Sequence, residues 1–380
     1  MKILFISYAI GHTASGIISE RILNELVKQG NDIYVITSLC DKTNIPECKF
    51  VCVENYLNNH PIINSLRNKV LSFFTQPFNS NYLWRYQAYR RAKKILKTWT
   101  PDYIYCRTAP MDPCFVGIQL KERYKIPLVV NLTDPIPPPV EYLPQMNHRL
   151  NMIKNARKII IRSDIIGMAN EQAINYQQQI TGIDFNKKSL ISPDPVPYSN
   201  IEFINRTNSV SFNLVYLGKI YGSRNIYPLI KAINKLRENN VNICLDIYGT
   251  QIKLNESVDY VRCHRWATKI DDVIANSDIL VDLDGDDSEP IFISSKLKQY
   301  LVYNRPILSI TPPGSPSSRL LKDLYTVEVV VNNVEDIYNS LIILMNKKLT
   351  RDNYYERLSI LQSFSSEIVV ENLIKRIATL

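Results

Sequence analysis

Short apolar segments alternate with amphipathic segments along both halves of the chain, and this alternation restricts the possible folds more than any other feature. The apolar segments are "KILFIS", "DIYVIT", "DYIYC" and "IPLVVN" in the first half, and "FNLVYL", "ICLDIY" and "DILVDL" in the second. Strands that alternate with helices form parallel sheets covered on both faces. The sequence therefore predicts an α/β fold with two doubly wound, Rossmann-like parallel-sheet domains.

A polar segment with prolines at positions 193, 195 and 197 separates the two series of strands and suits a domain boundary. Open parallel sheets bind ligands at the carboxyl ends of their strands, so we expect the two domains to face each other across a cleft that holds the site. The predicted divisions are residues 1–196 for the N-terminal, acceptor-side domain, 62–99 for a basic helical arm within it, 197–362 for the C-terminal donor domain, and 363–380 for a terminal helix packing back on the first domain.

The formal net charge of +9 is concentrated in one part of the chain. Residues 60–125 contain twelve lysines and arginines but only three acids, an excess of nine. Aromatic residues are interleaved with these cations in the arm, which favours the inner leaflet of a membrane. A plain solvated face is the main alternative, and no motif favours nucleic acid.

The other bulk features predict a cytoplasmic protein. No apolar run reaches the roughly 18 residues that a membrane span requires, and no segment resembles a signal peptide. The seven cysteines are scattered without a CxxC pair, which is typical of reduced thiols. We therefore expect a protein that associates peripherally with the inner face of the cytoplasmic membrane.

The segment "YLGKIYGSRNIYPLI" places two glycines and two cations between a strand and a helix. Gly218 ends the strand where a side chain would block a ligand, and Gly222 permits a positive φ or a close approach. The next helix is predicted to begin near Asn225, with its free N–H groups facing an anion. Lys219 and Arg224 add two full charges, which favours a pyrophosphate site over an αβ turn with solvated cations.

A third cation, Lys296, is predicted in the first turn of another helix. In "FISSKLKQYLVYNRPIL", Ser294 or Ser295 is the expected N-cap and Lys296 follows at once. A lysine there opposes the helix dipole, which indicates either a bound anion or a side chain that extends to water.

With these segments aligned, the chain resembles the retaining nucleotide-sugar glycosyltransferases of the GT-B fold, a large family (the family 4-like enzymes among them) that assembles capsule, lipopolysaccharide and other surface polysaccharides. The family's phosphate turn, G-[RK] followed by a cation, is similar to Gly218, Lys219 and Arg224. The family pattern "PSKLFEYLAxGKPIL" is similar to "SSKLKQYLVYNRPIL". In the segment "SYAIGHTASGI", Gly11 matches the family's glycine that approaches the donor.

The chain also departs from the family. The second glutamate of a Glu-x7-Glu pair, which hydrogen-bonds the ribose in many members, is replaced by Gln299, and the first by Ile291. Glu289 lies two residues away. The resemblance implies that Ser294, Ser295, Lys296 and Gln299 contact the donor.

The resemblance further implies transfer of a sugar from a nucleotide-sugar, with UDP the expected nucleotide, to a glycan or polyprenyl-linked acceptor. It implies retention, no metal and no cofactor, with the departing phosphate accepting the acceptor's proton. Lys219 and Arg224 would stabilise the leaving group. Asp134, in "NLTDP", is a candidate for orienting the acceptor, although an aspartate before proline equally often caps a turn.

Two further segments follow predicted strands of the second half. The acidic run "DLDGDDSEP" could bind a metal through the alternating Asp282, Asp284 and Asp286, but it lacks the full calcium-loop pattern. It is interpreted mostly as a solvated loop in which Glu289 faces the sugar. Arg262 and His264, in "RCHRWA", lie where the family binds the nucleobase, and Trp266 is expected in the core.

Two other functions remain open from the sequence. A nucleotide-sugar epimerase of the same fold would isomerise the donor in the absence of an acceptor. A non-catalytic membrane-peripheral scaffold would fit Gln299 and Ile291, where the family has acids.

Overall fold

The computed structural model describes residues 1–11, 13–40, 48–54, 81–197, 200–207, 211–250, 252 and 259–380. Residue contacts group the chain into two compact units: Met1–Pro138, Gln145–Pro195 and Ser366–Leu380 form the first, and Pro139–Pro144 and Val196–Ser365 form the second. Residues 139–144, which the sequence analysis placed with the first domain, therefore group with the second unit. Residues 62–80 of the predicted basic arm lie outside the described residues.

A parallel sheet forms the centre of the first unit. Its strands, together with two short ones, are β1 (Lys2–Ile6), β2 (Ala9–Ile10), β3 (Asp32–Thr37), β4 (Leu39–Cys40), β5 (Lys49–Cys52), β6 (Tyr103–Arg107), β7 (Leu128–Asn131), β8 (Ile165–Met168) and β9 (Ser189–Ile191). β2 pairs only with β4 among the described strands, and the others form one sheet in the order β5-β3-β1-β6-β7-β8-β9. Four consecutive residues of β1, from Ile3 to Ile6, are fully buried, as expected where helices cover both faces.

The second unit has its own parallel sheet. Its strands are β10 (Phe212–Leu217), β11 (Ile243–Tyr248), β12 (Val261–His264), β13 (Ile279–Leu283), β14 (Ile307–Ile310) and β15 (Val327–Val330). The order across the sheet is β12-β11-β10-β13-β14-β15, with all neighbours parallel. The predicted α/β class with two parallel sheets is confirmed.

Helices follow most of the strands. The described helices are α1 (Ala14–Lys28), α2 (Tyr82–Ile95), α3 (Asp112–Tyr124), α4 (Met146–Arg162), α5 (Glu171–Thr181), α6 (Tyr227–Glu238), α7 (Ile270–Ala275), α8 (Ser295–Tyr300), α9 (Pro316–Leu321), α10 (Val334–Asn346), α11 (Arg351–Tyr355), α12 (Leu358–Ser363) and α13 (Ser366–Ile377). Several starts have side-chain caps: Thr13 accepts a hydrogen bond from Gly16 N, and Asn170 accepts one from Ala173 N. Helix α6 begins at Tyr227, two residues later than the sequence suggested.

Alternate residues of each central strand are buried under different helices. In β1, Leu4 belongs to a core shared with α2, α3 and α4, whereas Phe5 belongs to a core shared with α1 and α13. In β10, Tyr216 packs with α6 and α10, whereas Leu217 packs with α8. Each sheet is therefore covered on both faces, and polar groups that serve a ligand are left to the loops at strand ends.

The strand order reverses once in each sheet, between β1 and β6 in the first and between β10 and β13 in the second. In sheets of this type, the crevice for a ligand lies at the carboxyl ends of the two strands that flank the reversal. In the second unit these ends lead into residues 218–226, which contain Gly218, Lys219, Gly222 and Arg224, and into residues 284–294, which precede Lys296.

Candidate active site

Gly218 and Lys296 lie in close contact at the reversal point of the second sheet. Gly218 has a φ of 120°. A Cβ atom added there would lie 2.6 Å from Lys296 Cε and 2.8 Å from Lys296 Nζ. The aliphatic part of the lysine thus crosses the end of β10, and the glycine is required by this side chain as well as by its own backbone.

The hydroxyl of Tyr216 connects the two lysines of the site. Lys296 Nζ donates a hydrogen bond of 2.8 Å to Tyr216 Oη, which in turn donates one of 3.0 Å to the carbonyl of Lys219. The ammonium also lies 4.5 Å from the centre of the tyrosine ring. Because Tyr216 is fully buried in β10, it fixes both groups to the sheet.

Arg224 is partly buried, and it has no acidic partner in the part of the chain that the structure describes. Its guanidinium carbon lies 4.6 Å from the centre of the Tyr221 ring. Nε is buried without a hydrogen-bond partner, and Nη1 reaches the Lys219 carbonyl only at 3.4 Å. Within the described residues, neither Arg224 nor either of the lysines at 219 and 296 forms an ion pair with a carboxylate. The arrangement presents cations whose hydrogen-bonding capacity is incompletely used, which suits an anionic ligand.

Two carboxyl groups lie at the end of β13 near these cations. Asp282 is buried within the strand, and the neighbouring Asp284 accepts a hydrogen bond from Thr311 Oγ1 at 2.8 Å. Burial, with a smaller contribution from Asp284, raises the pKa of Asp282 to about 7. Burial and the charge of Arg224 lower the pKa of Lys296 to about 8. The interpretation of this run as a solvated loop is wrong for Asp282, because the residue pairs with Ser309 inside the sheet.

Helix α8 and its N-cap contain the predicted donor-binding residues Ser294, Ser295 and Gln299, in addition to Lys296. Ser294 is its N-cap, and its hydroxyl accepts a hydrogen bond of 3.2 Å from Lys296 N. Ser295 is exposed at the first helical position, and Gln299 is half-buried one turn further on. Glu289 is half-buried in the loop that precedes the helix. All five belong to the second unit.

Arg262 and His264 of β12 both contact one carboxylate. Arg262 donates two hydrogen bonds of 2.7 Å to Asp246, and His264 Nε2 lies 2.7 Å from Asp246 Oδ1. Burial raises the pKa of Asp246, but hydrogen bonds from these two residues and from Asn213 outweigh it and leave the pKa below its usual range. The charge of Arg262 is thus largely compensated within the unit.

Trp266 does not lie in the core. It is 59% exposed, because it covers the end of β11 and not the sheet interior. A Cβ atom on Gly249, whose φ is 91°, would lie 2.9 Å from Trp266 Cε3. Beside it, the rings of Tyr248 and His264 stack with their centroids 4.5 Å apart. The ends of β11 and β12 therefore carry three aromatic rings, with Trp266 exposed, an arrangement that the sequence did not reveal.

Gly222 has a φ of 66° and lies under the ring of Tyr142.

Two predicted site residues, Gly11 and Asp134, belong to the first unit, whereas the other eleven belong to the second. Gly11 follows β2 with a φ of 69°, and its carbonyl accepts a hydrogen bond from Thr13 N. Asp134 is exposed after β7.

The described residues contain no cluster of three or more histidine, cysteine, aspartate or glutamate side chains that could hold a metal ion. The groups that the sequence did not single out for the site are Tyr216, Tyr142 and Asp282. The alternation of "FNLVYL" indicated that Tyr216 is buried, but nothing in it indicated that its hydroxyl bridges two loops.

These features define a doubly wound α/β fold with a cationic turn at the reversal of its second sheet, and solved structures of similar shape have the GT-B glycosyltransferase fold. No family model and no curated protein matches the sequence. A structure of Anabaena Alr3699/HepE in complex with UDP and glucose has a TM-score of 0.67 and 12% identity over 100% of both chains. A glycosyltransferase from Rickettsia africae has a TM-score of 0.63 and 11% identity over 100% of this chain and 98% of its own.

An enzyme of another class is also similar. A putative UDP-N-acetylglucosamine 2-epimerase from Listeria monocytogenes has a TM-score of 0.55 and 9% identity, covering 100% of this chain and 96% of its own. At such identities the similarity shows the fold alone.

Proposed function

We propose that the protein is a glycosyltransferase that moves a sugar from a nucleotide-sugar, with UDP the favoured nucleotide, to a glycan or lipid-linked acceptor. The observation that carries the proposal is the pair of Arg224 and Lys296, which lie at the reversal of the second sheet and form no ion pair with a carboxylate of the described part of the chain. A diphosphate supplies the anion that these groups lack. The complexes of Alr3699/HepE with UDP and glucose support this choice of ligand class.

The three cations would act mainly on the leaving group. When the bond from the anomeric carbon to the phosphate oxygen breaks, negative charge grows on the diphosphate, and fixed cations stabilise that charge most. Lys219, Arg224 and Lys296 can do so without a metal. Gly218 and Gly222 keep the backbone close to the phosphates.

We propose retention of configuration. The departing phosphate oxygen would accept the proton of the acceptor hydroxyl while the new glycosidic bond forms on the same face of the sugar. This route needs no protein base, and Asp134 would orient the acceptor. Glu289, Ser294, Ser295 and Gln299 would contact the ribose or the sugar.

For the nucleobase, we propose the aromatic surface at the ends of β11 and β12. Trp266 offers an exposed ring for stacking, which contributes roughly 1–3 kcal/mol per base in nucleic-acid-binding proteins. Arg262 and His264, held by Asp246, would contribute through their position and their backbone. In the first unit, Gly11 would allow the donor to approach the loop after β2.

A lipid-linked acceptor would favour attachment to a membrane surface. In α2, Tyr82, Leu83 and Tyr86 are exposed beside Arg90 and Arg91, and the helix contains no acid. Among the described residues, no helix has the length and apolar character needed to cross a bilayer. We therefore propose peripheral binding to anionic lipid and a role in the assembly of bacterial surface polysaccharide.

Vesicle sedimentation tests the membrane proposal. Anionic vesicles should retain the protein at low salt and release it at high salt, because exposed charges are screened. Neutral vesicles serve as the control, and equal retention by both would contradict the proposal. Arg90→Glu combined with Arg91→Glu should reduce retention without affecting nucleotide binding.

A panel of nucleotide-sugars read by thermal shift tests the central proposal. A UDP-sugar should raise the melting temperature more than the matched GDP- or ADP-sugar, since a ligand that binds only the folded state stabilises it. The binding donor is then incubated with and without acceptor glycans. Formation of a glycoside supports the proposal, an isomerised sugar without acceptor supports an epimerase, and no binding by any nucleotide would favour a scaffold.

A further inference from the structure

Residues Pro139–Pro144 cover the glycine turn of the second unit. They follow β7 in the chain but group with the second unit through their contacts. Prolines at 137, 138, 139 and 144 restrict the backbone on both sides. Within the segment, Tyr142 N donates a hydrogen bond of 3.1 Å to the carbonyl of Pro139 and closes a turn. The segment therefore presents Tyr142 from a stiff support.

The ring of Tyr142 lies directly on Gly222. A Cβ atom on this glycine would be 3.3 Å from Tyr142 Cε1, so a side chain there would displace the ring. Two further rings pack edge-on against it: Phe292 at 5.5 Å and Tyr221 at 6.4 Å between centroids. Tyr221 is the ring on which Arg224 rests. Tyr142 therefore packs against Tyr221, which in turn contacts Arg224, the proposed phosphate-binding residue.

The hydroxyl of Tyr142 reaches the same turn by a second route. It donates a hydrogen bond of 2.8 Å to Asp287 Oδ2, and Ser223 Oγ donates one to the other carboxylate oxygen. Ser223 immediately precedes Arg224 in the chain. A single carboxylate therefore joins the turn, the loop after β13 and the segment at 139–144. Gly285 permits this approach, since a Cβ there would lie 2.1 Å from Ser223 Oγ.

Other hydrogen bonds hold the turn on either side of Arg224, including one of 2.8 Å that Asn332 Nδ2 donates to the Asn225 carbonyl. The Arg224 N–H bonds the Tyr221 carbonyl at 3.4 Å, and Ile220 N bonds Thr250 Oγ1 at 3.0 Å. Helix α6 begins only at Tyr227, beyond the arginine. The link from Ser223 through Asp287 to Tyr142 fixes the residue directly before Arg224, where a displacement of about 1 Å would separate the guanidinium from a phosphate oxygen.

We infer that Tyr142 is a positioning residue that holds the glycine turn in the shape in which Arg224 binds the diphosphate. The inference rests on the proposed function of this turn. Tyr142 itself need not touch the substrate. It should therefore affect the diphosphate part of the affinity while leaving the nucleoside part unchanged.

Calorimetric titration with UDP and with uridine separates these parts. Tyr142→Phe keeps the ring on Gly222 and removes only the hydroxyl, so UDP affinity should fall about fivefold to tenfold. Asp287→Asn should have a similar effect, and Tyr142→Ala a larger one. Uridine affinity should stay unchanged in all of them. Tyr355→Phe, at an exposed tyrosine that packs on Phe203, is the matched control and should bind as wild type.

A double-mutant cycle with Arg224→Ala decides whether Tyr142 acts through the arginine. In the Arg224→Ala background, Tyr142→Phe should no longer change UDP affinity. An equal loss in both backgrounds, unchanged UDP affinity of Tyr142→Phe, or a parallel loss of uridine affinity would each overturn the inference. If wild type does not bind UDP, or if Arg224→Ala binds it as wild type does, the proposed function of the turn fails first and the role of Tyr142 fails with it.

Discussion

The reversal points of the two sheets each present an arginine, but the two arginines have different surroundings. Arg107 ends β6 in the first unit, where its side chain is fully buried, and Nη2 donates a 2.5 Å hydrogen bond to Asp194. Nη1 donates to the carbonyl and the hydroxyl of Ser15. Arg224, in the second unit, lacks a carboxylate partner within the described residues. Both have a buried Nε without a partner, so the carboxylate is the main difference between them.

This difference separates a structural cation from one that is available to a ligand. A buried charge is tolerated when it is paired, and the pair at Arg107 is complete within its own unit. Arg262 is likewise paired, with Asp246. Arg224 and Lys296 remain charged and partly buried near carboxyl groups that burial tends to keep protonated. An external anion is the group that would complete their environment.

Asp194→Asn gives the largest expected effect. The substitution leaves the buried Arg107 without a counter-charge, so the first unit should lose about 3 kcal/mol of unfolding free energy, near the low end for buried pairs because Asp194 is partly exposed. Urea denaturation followed by fluorescence measures the loss. Asp323→Asn, at an exposed aspartate, is the control. A midpoint equal to that of wild type would show that the pair at Arg107 is not structural.

Arg224→Ala should have the opposite effect, reducing activity while leaving stability nearly unchanged. Turnover with the UDP-sugar should fall by about a hundredfold or more, because a charge that stabilises the leaving group is lost. The melting temperature should change little, because no ion pair is broken. Arg351→Ala, which removes an arginine stacked on Phe203, is the matched control with normal turnover. Full activity of Arg224→Ala would refute its assigned role.

The alternation of the sequence was sufficient to predict both sheets, since it depends on burial along continuous segments. It also located the turn at Gly218, where the sequence analysis argued that a side chain would block a ligand. That reason was incomplete. The glycine leaves room for the Lys296 side chain, a contact between residues far apart in the chain. Local patterns indicate where a ligand loop lies, but not which distant side chain fills it.

Other site residues could not be predicted for related reasons. Tyr142 and Asp287 are 145 residues apart, and neither segment contains a motif that announces the other. Asp282 was assigned to a solvated loop because it belongs to an acidic run at the carboxyl end of a predicted strand, but the register of β13 places it inside the sheet. Trp266 was expected in the core, whereas Gly249 allows it to lie over a strand end.

The pH dependence of UDP binding should distinguish the lysine of the site from its arginine. Lys296 has a pKa lowered to about 8, so it loses its charge as the pH rises through 8, and ionisation of Asp282 above about 7 adds a nearby anion. Both changes oppose diphosphate binding. Affinity should therefore fall by about tenfold between pH 7 and pH 9, measured by calorimetry in buffers of constant ionic strength.

Lys296→Arg is the matched variant for this titration. An arginine retains its charge over the whole range, so the decline in affinity should become much shallower. Asp282→Asn should flatten only the part that begins near pH 7. The same decline in Lys296→Arg as in wild type would show that the titrating group lies elsewhere.

Tyr216→Phe is expected to have the smallest effect. It tests whether a single hydroxyl at the second reversal point contributes to UDP binding, in contrast to a tyrosine in the first unit. The change removes the hydroxyl that accepts from Lys296 Nζ and donates to the Lys219 carbonyl, while the ring stays in the core. A net hydrogen bond contributes about 1 kcal/mol, so UDP affinity should fall roughly fivefold. Tyr105→Phe, at a fully buried tyrosine of β6 in the first unit, provides the control and should leave UDP affinity unchanged. If both variants weaken UDP binding equally, the effect comes from general loosening of the sheets. The Tyr216 hydroxyl would then have no specific role at the second reversal point.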